Sequence, residues 1–161
     1  MVTIQKKSLN VGKYVNTAHV DSVIRTYKQE RWVHNSDRIG KEDSLSGWWS
    51  IEEVEEFLAT AKQHGADGVK LYFAAYPQDF AEIPEYAGRQ TLVMVGTKRK
   101  QTPNGSLDKD IYVNTENGTQ ILAYNVMKLC PPNCGTKETD SDWGGLGVTI
   151  VDRKDKGLTV V

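Results

Sequence analysis

The sequence lacks the features that mark several large classes of protein. None of its apolar runs approaches the about 20 residues needed to cross a bilayer, and Met1–Ser8 has no apolar stretch of the kind found in a signal peptide. Its 20 basic and 21 acidic side chains give a formal net charge of −1, whereas proteins that bind nucleic acids or acidic membranes usually carry a basic surplus. We therefore expect no nucleic-acid partner, no membrane partner and a cytoplasmic location.

Cysteine is scarce as well, so the chain is not a disulfide-stapled scaffold. Its two cysteines, Cys130 and Cys134, flank Pro131-Pro132-Asn133. Three interpretations remain open: two small half-buried residues at the end of a strand, a structural or reversible disulfide, and half of a metal site. Structural zinc needs about four ligands, a second cysteine pair is missing, and the three histidines are not spaced as ligands. The sequence favours the first interpretation and predicts no cofactor.

Motifs for catalysis and phosphate binding are also missing. There is no Gly-x-Ser-x-Gly elbow, and Gly144-Gly145-x-Gly147 does not precede a convincing helix. Catalytic residues are therefore unknown from the sequence. The 161 residues, 39% hydrophobic and 25% charged, are ordinary for one globular domain. We expect a single domain over residues 1–161.

Two helices are predicted in the first half of the chain. The first covers Lys13–Trp32, with Asn16 as its N-cap and an apolar stripe at helical spacing formed by Val20, Val23, Ile24 and Tyr27. A polar loop is expected over residues 34–47. In the second helix Ser50 and Glu53 predict a capping box, Trp49 and Val54 a hydrophobic staple, and Gly65 a stop. Its expected buried stripe is Ile51, Val54, Phe57, Leu58 and Ala61.

Strands are predicted in the second half. Val69–Tyr76 is expected to be at least partly covered on both faces, and Thr91–Thr97 to be central in the sheet. Asn117-Gly118 predicts a hairpin between residues 110–114 and 119–126. Residues 148–151 and 158–161 are expected to form a weaker hairpin after a loosely held stretch, 136–147. The predicted fold is α+β, with two N-terminal helices packed on one face of a mostly antiparallel sheet of four to six strands.

One strand face carries the candidate binding site. Lys70, Tyr72 and Tyr76 share that face, and with Trp48 and Trp49 they could line a small pocket for an anionic or aromatic ligand. Alternating aromatic residues are also common on purely structural sheet faces. The leading hypothesis is a non-enzymatic protein, monomeric or homodimeric, that contacts an unknown protein or small molecule. The alternatives are a small enzyme that draws Lys70, Tyr72 and His34 together, and a thiol or metal protein using Cys130 and Cys134.

Three central segments and a late cysteine-proline element resemble a group of small uncharacterised proteins from Bacteroidetes-type bacteria. The matching segments are SIEEVEEFL from Ser50, DGVKLYFAAY from Asp67, TLVMVGT from Thr91 and CPPNC from Cys130. The resemblance implies an intracellular bacterial origin and a core built from a helix followed by strands. It implies no activity.

Overall fold

The computed structural model describes residues 10–134, 150–152 and 158–160 and shows an α+β fold with mostly antiparallel strands. The helices are α1 (Thr17–Tyr27), α2 (Val33–Ile39) and α3 (Ile51–Gln63), with a π-helical turn at Lys28–Trp32 and a 3₁₀ turn at Pro84–Tyr86. The strands are β1 (Ser46–Trp48), β2 (Gly68–Ala75), β3 (Gln90–Thr102), β4 (Gly105–Asp110), β5 (Tyr112–Thr115), β6 (Gly118–Ile121), β7 (Ala123–Tyr124), β8 (Lys128–Cys130), β9 (Ile150–Asp152) and β10 (Leu158–Val160). Within these ranges no helix has the length and apolar character needed to cross a membrane.

The first helix has the predicted N-cap, but it begins at Thr17 rather than Lys13 and ends later than predicted. Asn16 caps it, and its side chain accepts a hydrogen bond from the amide of His19 at 2.9 Å. The helical segment then runs without a break through the π turn and α2 to Gly40, so it spans 23 residues; we call residues 17–39 the N-terminal helix. Gly40 ends it in the left-handed region, at φ 71°. The predicted loop over 34–47 is therefore wrong over residues 34–39, which are helical, and over 46–47, which belong to β1.

The second helix agrees closely with its prediction. Ser50 Oγ accepts from the Glu53 amide at 3.1 Å, and the Glu53 carboxylate accepts from the Ser50 amide at 2.9 Å. Phe57 and Ala61 are fully buried, as predicted for the stripe. Ile51 is 73% exposed, so its predicted burial is wrong: it lies in the first turn, outside the face that contacts the sheet.

A four-stranded antiparallel sheet forms the centre. Its order is β2-β3-β4, and β7 also pairs with β3. This confirms that β3 is central, although it extends to Thr102 and takes in Lys98-Arg99-Lys100. The predicted hairpin at Asn117-Gly118 is confirmed between β5 and β6, with Gly118 at φ 101°. β1 pairs with β8, and β9 with β10, the latter inside the hairpin predicted near the end of the chain. Residues 136–147 lie outside the described residues.

The hydrophobic core lies beside one end of β2. Tyr76, Tyr86, Met127 and Leu129 are buried together, and Trp49, Phe80, Ile83 and Leu92 pack against them. The rings of Tyr76 and Phe80 stack with their centroids 4.5 Å apart. The backbone at Gly47 passes very close to this core. A Cβ added at Gly47 would lie 1.5 Å from the Met127 sulfur.

The exposure of β2 differs from its prediction. The prediction of at least partial cover on both faces is wrong at Phe73, which is 84% exposed, while Val69 and Leu71 are 40% and 49% exposed. Among the described residues β2 pairs with β3 alone and therefore lies at an edge of the sheet. The alternation of apolar residues predicts the strand, but whether a neighbour covers it depends on distant parts of the chain.

Candidate functional site: two cavities beneath the N-terminal helix

The N-terminal helix is held to the rest of the protein by a few polar contacts near its middle and end. The Tyr27 hydroxyl donates to the side-chain oxygen of Gln90. Trp32 Nε1 donates to the backbone oxygen of Asp43 at 2.8 Å, and the Asp43 amide donates to Ser36 Oγ at 2.9 Å. None of the side chains from residue 17 to residue 39 is fully buried. The helix therefore leaves space between itself and the sheet.

That space consists of two cavities. The larger, about 550 Å³, lies between α2 and the end of β2, and we call it the polar cavity. The smaller, about 270 Å³, lies between α1, the sheet and β1, and we call it the apolar cavity. Phe73 and Gln90 line both. The polar cavity falls within the range of about 300–1,000 Å³ expected for small-molecule sites, and the apolar cavity lies slightly below it.

Most of the apolar stripe predicted for the first helix lines the apolar cavity. Val23, Ile24 and Tyr27 form its roof. Its other apolar wall residues are Leu45, Phe73, Leu92, Met127 and Leu129. The stripe thus faces the body of the protein, as its spacing predicts, but it covers a cavity rather than completing the core.

The polar cavity brings together one guanidinium and several amides. Arg38 and Asn35 enter from α2, and Gln78 and Gln90 from the opposite wall. Arg38 is exposed, and no hydrogen bond or ion pair among the described residues uses its guanidinium. A guanidinium with its N–H groups free is well suited to a planar carboxylate.

One carboxylate, that of Asp43, also lies in the wall of the polar cavity. It is buried and accepts hydrogen bonds from the amides of Ser44 at 2.8 Å and Gln90 at 2.7 Å. It also interacts with Arg89, a buried neighbour of Gln90: burial lowers the pKa of the Arg89 guanidinium, and the charges of Asp43 and Glu42 oppose that shift. The Asp43 carboxylate is thus held by two backbone amides, whereas no hydrogen bond or ion pair among the described residues uses the Arg38 guanidinium.

The five residues predicted to form one binding site lie in separate parts of the structure. Lys70 and Tyr72 do meet, with Lys70 Nζ 3.3 Å from the Tyr72 hydroxyl. Tyr76 and Trp49 belong to the hydrophobic core, where the Tyr76 hydroxyl donates to Asn125 at 2.9 Å. Trp48 is exposed on β1. Of these five residues only Tyr76 lines a cavity, and it lines the polar one.

Lys70 and Tyr72 belong to a charge-balanced network on the sheet. Lys70 Nζ lies 2.7 Å from one oxygen of Asp110, and the Tyr72 hydroxyl donates to the other at 2.6 Å. Arg99 forms a two-bond ion pair with Asp108 beside them, at 2.8 and 2.9 Å. Hydrogen bonding to Asp110 and then to Tyr72 raises the pKa of Lys70, and the same bonds lower the pKa of Asp110. The lysine is therefore held protonated, the reverse of what a base or nucleophile needs.

The two cysteines form a disulfide, with their α-carbons 4.7 Å apart. Of the three interpretations of this pair, the structure thus shows the second. In this state neither sulfur is a thiolate that could bind a metal. Within the described ranges, no three or more His, Cys, Asp or Glu side chains are grouped as a metal site.

Apart from Tyr76, the residues that line the two cavities are not among the predicted site residues. The sequence predicts a strand face for Phe73, which lines both cavities, and a loop for Arg38 and Asn35, which line the polar cavity. The sequence indicates a role for Arg38 only once the helix is known to reach Gly40. Asn35, Arg38 and Ile39 then share one helical face, and all three line the polar cavity.

No family model, no curated protein and no solved structure matches this chain. The resemblance to small bacterial proteins therefore stays a prediction.

Proposed function

We propose that this protein is a non-enzymatic binding protein for a small organic carboxylate with an apolar body. The observation that carries the proposal is the pair of cavities that share Phe73 and Gln90 as walls beneath the N-terminal helix. One cavity offers an uncompensated cation and the other an apolar lining. A ligand with both characters satisfies the two together.

The carboxylate binds in the polar cavity. Arg38 supplies two parallel N–H donors, and Asn35 and Gln78 supply amide groups around it. Because Arg38 has no partner to give up among the described residues, binding there breaks no existing ion pair.

The apolar body passes Phe73 and enters the apolar cavity. There it replaces water against Val23, Ile24 and Leu92, and burying apolar surface contributes about 25 cal/mol per Å² before the cost of association. Phe73, 84% exposed, is the residue whose own exposure such a ligand would reduce most.

The enzymatic alternative is less well supported. Lys70 and Tyr72 are engaged with Asp110, and His34 is exposed on α2 and lines neither cavity. The cytoplasmic location expected from the sequence stays a prediction. The Cys130–Cys134 disulfide weighs against it, because cytosolic reductants generally keep thiols reduced.

The test is calorimetric titration with decanoate, with 3-phenylpropanoate and with decanol, which lacks the charge. We expect both carboxylates to bind and decanol to bind at least tenfold more weakly. Arg38→Gln should weaken decanoate at least tenfold, since a charge-assisted pair is lost. Arg31→Gln is the matched control, because Arg31 is exposed on the same helix and lines neither cavity.

A second pair of variants tests the apolar cavity. Val23→Phe adds volume where the body of the ligand would lie and should weaken decanoate. Val33→Phe makes the same change at a similarly exposed valine of the N-terminal helix that lines neither cavity, and should leave binding unchanged. No binding of either carboxylate, or equal effects of the two arginine variants, would contradict the proposal.

A further inference from the structure

The open edge of β2 is a second surface, separate from the cavities in its chemistry. We propose that this chain pairs with a second copy of itself through this edge, as antiparallel strands about a two-fold axis at Leu71. Leu71, at the axis, lines neither cavity, whereas Phe73 lines both and also belongs to this edge. The pairing is argued from the backbone groups and the register of β2, so it does not depend on the function proposed above.

The hydrogen bonds of β3 show which groups of β2 are directed outward. In an antiparallel pair, successive residues direct their N–H and C=O groups to opposite sides of the strand. Gly96 bonds away from β2, since its amide donates to Leu122 at 3.1 Å and its oxygen accepts from Ile111 at 2.9 Å. Val69 is paired opposite Gly96, so Val69 directs its own backbone groups to the open edge.

By the same alternation Leu71 and Phe73 direct their N–H and C=O groups to the edge. The Tyr76 amide, which donates to the Arg89 oxygen at 3.0 Å, confirms that the even-numbered positions bond to β3. No backbone partner among the described residues satisfies the outward groups of these odd-numbered positions.

The side chains of the same residues form an exposed apolar row. Val69, Leu71 and Phe73 lie on one face of the strand and are all exposed. Natural edge strands are commonly protected by proline, by bulges or by projecting lysines. β2 has no proline, its register with β3 is unbroken, and its one charged residue, Lys70, is bound to Asp110. Among the residues that the structure describes, the edge is therefore open to another strand.

A second copy fits this edge in sequence and charge. With the axis at Leu71, each Leu71 lies opposite the Leu71 of the second copy, and Val69 lies opposite Phe73. Lys70 lies opposite Tyr72, whose hydroxyl is bound to the Asp110 carboxylate. Each ammonium thus faces an aromatic ring with a carboxylate beside it, and no like charges are directly opposed. Because the pairing uses one edge strand from each copy, we expect an interface smaller than the about 1,200–2,000 Å² of a stable complex, and therefore a weak, concentration-dependent dimer.

Sedimentation equilibrium over a range of concentrations tests the association. The wild type should dimerise, and Leu71→Lys should weaken the dimer at least tenfold, because the two new ammonium groups meet across the axis. Leu107→Lys is the matched control: Leu107 is 53% exposed on β4, and its replacement should leave association unchanged. A wild type that stays monomeric throughout, or equal loss in both variants, would overturn the proposal.

Leu71→Cys tests the register directly. α-Carbons of a hydrogen-bonded antiparallel pair are about 5.5 Å apart, within the span of a disulfide. The native cysteines are bonded to each other, so the new thiol is the reactive one. Mild oxidation should give a covalent dimer with Leu71→Cys and not with Leu107→Cys. Association of the wild type without cross-linking at Leu71 would show that the copies meet elsewhere and would also overturn the proposal.

Discussion

Removing the cap of α3 should destabilise the protein by a measurable amount. In Ser50→Ala the Glu53 amide loses its acceptor, which lies 3.1 Å away, and such substitutions cost about 1 kcal/mol. For a chain of this length that corresponds to a lowering of Tm by about 2–4 °C. The serine hydroxyl is only one part of the local network, since Glu53 also accepts from Tyr124 at 3.0 Å.

Urea denaturation measures the effect. The midpoint should fall while the slope stays constant, because the surface exposed on unfolding is unchanged. Glu53→Ala removes the acceptor of both the Ser50 amide and the Tyr124 hydroxyl, and the double variant with Ser50→Ala should lose less than the sum of the two single variants. Ser106→Ala, at an exposed position on β4, is the control and should stay within about 0.5 kcal/mol of the wild type.

The pKa of Glu53 adds a pH dependence to this prediction. Hydrogen bonding from the Ser50 backbone, then from Tyr124, lowers that pKa. A lowered pKa means that the stabilising contribution is present above the pKa of the unfolded chain and is lost as the pH falls through that of the folded protein. The difference between wild type and Glu53→Ala should therefore shrink in acid. Equal midpoints for Ser50→Ala and wild type at pH 7, or a difference that grows in acid, would refute the reasoning.

The other predictions concern the sheet and the disulfide. In native-state hydrogen exchange of the monomer, the Tyr72 amide should be protected and the Leu71 amide should exchange fast, because only the Tyr72 amide is directed to β3. Equal protection of the two amides would place a further strand at the edge. A carbon-detected NMR titration should give Asp110 a pKa below its ordinary value, since Lys70 and Tyr72 both hydrogen-bond its carboxylate, and Asp110→Asn should lose stability at pH 7 but not in acid. Replacing both cysteines with serine should leave the fold intact and lower the free energy of unfolding by at most about 2 kcal/mol, because the disulfide closes a very short loop. Loss of the folded CD spectrum in this double variant would contradict that expectation. Metal analysis of the purified wild-type protein should find no stoichiometric zinc.

The sequence predicts well those parts of the fold whose signals lie within a few residues. The capping box at Ser50 and the turn at Gly118 are of this kind, since side chains or glycine satisfy the backbone locally. β4 was missed because its sequence, GSLDKD, has no apolar alternation. Its strand conformation is fixed by pairing with β3, which no local pattern contains.

The end of the N-terminal helix was missed for a related reason. The π turn at Lys28–Trp32 adds a residue to one turn and rotates everything after it. The apolar stripe followed at a constant 3.6-residue period therefore ends at Tyr27. The polar residues after Trp32 favour a loop, and the sequence gives no signal that Arg38 is a site residue.

The cavity walls could be predicted least of all. Phe73, Gln90 and Arg38 come from three separate elements, and the space among them exists because the helix does not pack fully onto the sheet. The alternation along β2 indicates that Phe73 is apolar and on a given face. The alternation carries no information about which element lies against that face. The opposing element determines whether the face belongs to the core, to a cavity or to the surface.

The attachment of the N-terminal helix also sets the order in which the protein comes apart. Its contacts through Tyr27, Trp32 and Ser36 all lie in its second half or at its middle, whereas its first turns carry exposed side chains and no buried one. Fraying from Thr17 toward Tyr27 therefore requires little free energy compared with opening the sheet. Val23 and Ile24, two of the three roof residues of the apolar cavity, lie in this less firmly attached part of α1, whereas Tyr27 is one of the attachment points. We therefore expect opening of the roof to be a local event that leaves the core around Tyr76 intact. A ligand of the kind proposed would enter without global unfolding, and its binding would have to offset the entropy lost when this part of the helix is fixed in place.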